Sequence, residues 1–230
     1  MHQCREDRLG LTQPVANNTI AASNPMQAWS APLKALTPSA LRVCEAAVGH
    51  FADHGYDGSS LSEIAAQAGM RKASLYAHFA NKDALFAKTF ERALAQETAY
   101  VENGFAREAA QALPPGHWHP LYLAERYAGS PSLRFVLRAA FLPPASLKLL
   151  VTSGFEAYLE RIRLGFCQAL RERHAWARSD GNKLELYGDA YLGIIDSLHV
   201  ELMYANPAVY ARRAASLLKI LDDSLALTSR

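Results

Sequence analysis

SLSEIAAQAGMRKASLYAHFANKDAL, Ser60 to Leu85, is the stretch on which the reading of this chain turns. Ser60 is a good N-cap and Glu63 lies three residues on, so the pair predicts a capping box over the first turn of a helix. Leu61, Ile64, Ala65 and Ala68 fall on one face at helical spacing. Gly69 follows at once, where a residue of positive φ can end the helix and turn the chain. Met70 is apolar and is expected to plug the turn. A second short helix is predicted from about Lys72 to His78, with Leu75 and Phe79 inward and Arg71, Lys72, Ser74 and His78 on other faces. Asn81 then caps a third helix, with Lys82 in its first turn.

Two short helices around a glycine turn, the second opening on cations and a hydroxyl, have the form of a helix-turn-helix that enters the DNA major groove. Arg71 and Lys72 can donate to guanine or phosphate, and Ser74 can reach a base edge. Ala73 lets the backbone approach closely. Tyr76 and His78 can donate to phosphate oxygens, Lys82 adds charge beside a helix N-terminus, and Ser60 stands at the edge of the same surface.

Outward from this stretch, Thr37 and Pro38 predict the start of a helix running to His54, with Gly55 ending it. Its apolar stripe reads Leu41, Cys44, Ala47, Val48 and Phe51. The segment then resembles the DNA-binding domain of the tetracycline-repressor (TetR) family of bacterial regulators. That family's pattern is F-x-x-x-G-[YF], then [ST]-[ST]-x-x-x-IA-x-x-AGV, then LY-x-[YH]F, then K-[DE]-x-L. This chain has FADHGY (Phe51 to Tyr56), SSLSEIAAQAGM (Ser59 to Met70), LYAHF (Leu75 to Phe79) and KDAL (Lys82 to Leu85). Met70, Arg71 and Ala73 depart from the commoner residues, the last two at presumed DNA-facing positions. The resemblance covers about Thr37 to Ala95.

The 230 residues allow one large or two modest domains. Half are apolar and the formal charge is only +2, so DNA affinity must come from a few placed cations. Cys4, Cys44 and Cys167 are scattered, which argues against a disulfide framework or a zinc site; Cys44 and Cys167 are expected to pack as small apolar residues. No apolar run approaches the ~18 residues of a membrane span, and no signal-peptide pattern opens the chain. A cytoplasmic protein, nucleoid-associated when on its operator, with no membrane partner, is expected. Residues 1–36 read as a flexible extension, with a minor-groove arm as the sharper alternative.

Beyond Gln111, helices are predicted at roughly 118–128, 131–141, 144–175, 183–204 and 207–227. With no strand signals the fold class is all-α: a helix-turn-helix domain over 37–83, and a helical ligand-binding and dimerisation domain over 84–230. Leu184, Tyr187, Tyr191, Ile195, Leu198 and Leu202 form one apolar band, and Tyr210, Ala214, Leu217 and Leu221 another. The family implies that a second copy packs there as a four-helix dimer bundle. The central helices carry many aromatics, Tyr122, Tyr127, Phe135, Phe155, Tyr158 and Phe166 with Phe141 and Tyr187. They read as core first, but the resemblance implies that some line a cavity between the fourth and eighth predicted helices. Its guest would be a small apolar or aromatic effector, with Asp196, His199, Arg134 or Arg138 as polar anchor. His117-Trp118-His119 reads as a solvated loop. No cofactor, metal site or catalytic constellation is expected. The chain therefore reads as a homodimeric, effector-released repressor. The alternatives are an activator or protein-controlled regulator of the same fold and, remotely, an all-α enzyme.

Overall fold

The computed structural model describes residues 36–204 and 207–228; the readings made for the N-terminal extension up to residue 35, including the minor-groove arm, lie outside them. The described chain is all helix: α1 Pro38–His54, α2 Leu61–Gln67, α3 Lys72–Tyr76, α4 Lys82–Ala110, α5 Trp118–Gly129, α6 Pro131–Phe141, α7 Lys148–Arg173, the single turn α8 Trp176–Ser179, α9 Gly181–Tyr204 and α10 Pro207–Thr228. No single one of them is long and apolar enough to cross a membrane.

Local chemistry sets most boundaries. Thr37 Oγ1 accepts from Ala40 N–H at 3.3 Å with Pro38 in the first turn, and Asn81 Oδ1 accepts from Ala84 N–H at 2.8 Å. The capping box does not form. Ser60 Oγ accepts from Ser62 N–H at 3.3 Å, but Glu63 turns away to His50, its Oε2 lying 3.0 Å from Nε2. His50 is buried on α1, and its Nδ1 is 3.2 Å from Ser59 Oγ. A tertiary partner outbids the local cap and ties α2 to α1. Gly69 has φ 70°, with Met70 N–H bonded to Ala65 O at 2.9 Å and Gly69 N–H to Ala66 O at 3.0 Å. That is a Schellman turn, and half-buried Met70 packs beneath it.

Helix α4 packs along α7, α6 lies on both α1 and α4, and α9 on α7. An aromatic cluster carries the core across the junction between the first three helices and the rest. Phe135 of α6 lies 5.5 Å from Phe51 of α1 and 5.0 and 5.9 Å from Phe86 and Phe90 of α4, ring centre to centre. Glu97 of α4 is buried and takes a two-bond ion pair from Arg126 of α5, at 3.0 and 2.8 Å, plus the Ser130 hydroxyl at 2.9 Å. Buried Cys44 and Cys167 are free thiols, and burial raises the pKa of each.

The His117–His119 segment corrects its sequence reading. Trp118 and His119 are buried in the first turn of α5. The carboxylate of buried Glu108 supplies the cap, accepting from Gly116 N–H at 3.0 Å and Trp118 N–H at 2.8 Å. Burial raises the Glu108 pKa, and these two backbone bonds work against that rise. Gly116 holds φ 81°, and a Cβ there would sit 2.7 Å from the Tyr191 ring and 2.9 Å from Phe166. A loop that looks polar in sequence is therefore a close approach of backbone to core.

Candidate nucleic-acid interface and effector region

The turn between α2 and α3 presents α3 by its outward row. Leu75 and Phe79 are buried, while Arg71, Lys72, Ala73, Ser74, Tyr76 and His78 are all exposed. Arg71 occupies the N-cap position without a side-chain cap bond, so α3 starts one residue later than its first cation. The helix spans Lys72–Tyr76, shorter than the predicted Lys72–His78. Ser60 stands half-exposed at the start of α2. Lys82, at the start of α4, lies over the Tyr56 ring at 4.5 Å and donates to Asp57 O at 3.5 Å. The Tyr56 hydroxyl donates to Asp83; burial and that carboxylate push Tyr56 up to about 12, and the bond lowers Asp83. This small network fixes where the N-terminus of α4 points. The site thus offers exposed donors and cations on one short helix and its flanks, the side-chain chemistry that reading a groove requires.

The effector candidates divide. Arg138 donates to Ala52 O and Asp53 O, at 3.5 and 3.4 Å, where the C-terminal carbonyls of α1 gather negative dipole charge. Arg134 pairs with Asp53 at 3.6 Å and donates to Ala128 O at 3.2 Å. Both join α6 to α1, and Arg138, with Phe135, also lines a hollow beside that junction. Phe135 belongs to the aromatic cluster on that same junction. Asp196 is exposed on α9, away from the interior expected of an anchor. Tyr122 is on the surface, in a hollow of about 470 Å³ with Tyr100, Trp118 and Arg126. A second hollow, about 550 Å³, lies between α1 and the α6–α7 connection. Neither is lined by Phe155, Tyr158, Phe166 or His199. Phe166 stacks on Tyr191 at 4.1 Å as core, and the Tyr127 hydroxyl rests on Met203 Sδ at 3.6 Å.

Phe155, Tyr158 and His199 do come together. The Phe155 ring lies 5.9 Å from Tyr158 and 6.0 Å from His199. Burial raises the Tyr158 pKa and lowers that of His199 to about 3. His119 joins them from α5, its ring 6.4 Å from His199; burial lowers it to about 4. No ring nitrogen of either histidine has a hydrogen-bond partner. Leaving a buried donor unpaired costs about 1–3 kcal/mol, so the pair is the least satisfied spot in this region. Sequence reading singled out His199 but set His119 aside as part of a solvated loop, because nothing local shows that it turns inward at the start of its helix.

The dimer candidates also divide. Leu184, Tyr191, Ile195, Leu198, Tyr210, Ala214 and Leu221 are buried within the protomer. The Tyr191 hydroxyl donates to Gly116 O at 2.9 Å and the Tyr210 hydroxyl to Pro120 O at 2.7 Å. Tyr187, Leu202 and Leu217 are half-buried, and the Tyr187 hydroxyl is 2.7 and 2.8 Å from those of Ser224 and Thr228. Those bands serve α9 and α10 as inner faces. The outer faces carry a different apolar set, chiefly Leu186 (67% exposed), Tyr204 (75%), Ile220 (66%) and Leu227 (71%), with the small Ala190, Gly193 and Ala215 among them. A helix that is apolar on both sides made the two faces indistinguishable in sequence.

Residues 43–89 match the family of bacterial regulatory proteins, tetR family. An HTH-type transcriptional repressor of Streptomyces coelicolor is 45% identical over 51 residues, 22% of this chain and 27% of that protein. The chain thus spans about a quarter of that curated relative's length. A tetR-family structure from Mesorhizobium loti superposes with a TM-score of 0.57 at 21% identity, covering 81% of this chain and 97% of the other. The transcriptional regulator FadR from Bacillus subtilis, solved with stearoyl-CoA, gives 0.55 at 20% identity, covering 79% and 96%. At these identities the structural likeness speaks for the fold alone. Over residues 43–89 the chain carries the N-terminal domain of the tetR family of bacterial regulatory proteins, on a fold shared with the solved neighbours.

Proposed function

We propose that the chain is a cytoplasmic, homodimeric transcriptional repressor that leaves a pseudo-palindromic operator when a small molecule occupies its C-terminal half. The observation that carries the reading is the α3 row, with every predicted contact residue exposed around the buried Leu75 and Phe79. Residues 37–83 serve as the DNA-binding domain and 84–230 as the effector and dimer domain. Arg71, Lys72 and Ser74 read base edges, and Ala73 allows close approach. Ser60, Tyr76, His78 and Lys82 hold phosphates, Lys82 beside the N-terminus of α4. Two copies joined through the exposed α9 and α10 faces place two α3 helices on half-sites one DNA turn apart. The repressor name of the Streptomyces relative supports the sign of regulation, and the stearoyl chain of the ligand on the Bacillus neighbour supports an effector with an apolar part. Phe51, Phe86 and Phe135, with Arg134 and Arg138 on the end of α1, give the C-terminal half its grip on the reading head.

In a selection from random DNA, Lys72→Ala and Ser74→Ala should change the preferred sequence. Tyr76→Phe and Lys82→Ala should weaken operator and random DNA alike, Lys82→Ala lowering the salt slope by about 1. The assignment fails if those effects are exchanged. A chain that stays monomeric at micromolar concentration in sedimentation would remove the dimer, and Leu186→Glu with Ile220→Glu should produce such a monomer.

A further inference from the structure

His119 and His199 face each other between α5 and α9, 2% and 0% exposed, with all four ring nitrogens lacking partners. The rings stand at 87° with centroids 6.4 Å apart, and Phe155 of α7 closes one side at 6.0 Å from His199. The nearby cluster of Leu123, Leu133, Leu137 and Leu198 is apolar.

The spacing discriminates between occupants. A direct imidazole–imidazole hydrogen bond brings ring centres to about 5.2 Å. A tetrahedral zinc shared by both rings also sets them at about 5.2 Å. The described residues contain no group of three or more histidine, cysteine, aspartate or glutamate side chains that could complete such a metal site. One oxygen hydrogen-bonded to both rings at a tetrahedral angle separates them by about 6.5 Å. That fits. A neutral imidazole carries one donor and one acceptor, so a hydroxyl can serve both rings, and a carbonyl can accept from both.

We propose that the His119–His199 pair is the polar seat of the effector site, and that the effector is a small uncharged molecule with an apolar body and one hydroxyl or carbonyl oxygen. The inference rests on the effector-released reading above. Burial lowers the two pKa values to about 4 and about 3, so both rings are neutral near pH 7 and offer an anionic guest no countercharge. Phe155 and Tyr158 supply the wall for the apolar body.

The test uses the full chain and three probes, phenol, toluene and Zn²⁺, followed by imidazole ¹⁵N NMR and thermal shift. Phenol should move the ring resonances of both histidines and bind at least about tenfold tighter than toluene, because its oxygen adds a net hydrogen bond to each ring. His199→Phe should abolish that preference; if the variant does not fold, the wild-type spectra decide alone. Equal binding of phenol and toluene, zinc-type shifts on both rings, or a long-lived water on them that phenol does not displace would each overturn the proposal. Operator affinity measured against a wider metabolite panel keeps the two readings apart. Release by a molecule that leaves both rings unmoved retires the seat and keeps the repressor. Phenol seated on both rings without change in operator affinity retires release by this site and keeps the seat.

Discussion

At the scale of single residues, the informative positions are those where side chains desert the partner that local sequence assigns them. Glu63 leaves its cap for His50, and Glu108 caps a helix ten residues downstream. Ala112 is a third case. Helix α4 ends in a Schellman turn, with Leu113 N–H on Glu108 O at 3.1 Å and Ala112 N–H on Ala109 O at 3.2 Å. The position that wants glycine holds alanine at φ 55°. The left-handed region costs an alanine about 1 kcal/mol. Ala112→Gly should therefore raise stability by about 0.5–1 kcal/mol, read as a higher midpoint in urea with unchanged slope.

At the scale of elements, α4 is the frame and its polar ties are few and specific. Glu97, 1% exposed at its side chain, holds Arg126 and Ser130 and so fixes α5 and the start of α6 against α4. Removing one partner leaves a buried charge unpaired. Arg126→Met should cost about 3 kcal/mol, toward the low end of such losses because Arg126 is 21% exposed. The double variant Arg126→Met with Glu97→Gln should recover much of that, because the charge goes with its partner; equilibrium denaturation of both variants checks it. Arg138 is the corresponding tie between α6 and α1. It bonds carbonyls only, so Arg138→Lys, which keeps charge but loses the fork, should loosen the α1 end and weaken operator binding several-fold without altering sequence preference.

At the scale of the whole molecule, the paired histidines make stability depend on pH. Their folded pKa values, about 4 and about 3, lie below the ordinary 6.5. The unfolded chain therefore binds more protons below pH 6.5. The contribution is complete above that pH and is lost as pH falls toward 4. Between pH 7 and pH 5 the loss is about 2 kcal/mol for each histidine. Thermal melts at the two pH values should show it, and His199→Phe should remove about half. An unchanged midpoint would mean that both rings are hydrogen-bonded or wet in solution.

The sequence by itself determined the helix-turn-helix, the five long helices of the C-terminal half and most helix ends, but not the single turn α8. Those depend on signals a few residues long: Thr37, Gly69, Asn81 and the prolines act on their own neighbours. It also picked out the exposed α3 row, since the inward Leu75 and Phe79 leave only one side for Arg71 to His78. Only tertiary structure decided which face of an apolar helix turns outward. Tyr191 and Leu198 went inside and Leu186 and Ile220 stayed out because α7 and α5 had to be covered, a choice among partners far apart in the chain. It also decided that Arg134 and Arg138 join two parts of the fold, and that His119 meets His199 across 80 residues. Burial and pairing between distant residues are properties of packing, and no local pattern encodes them.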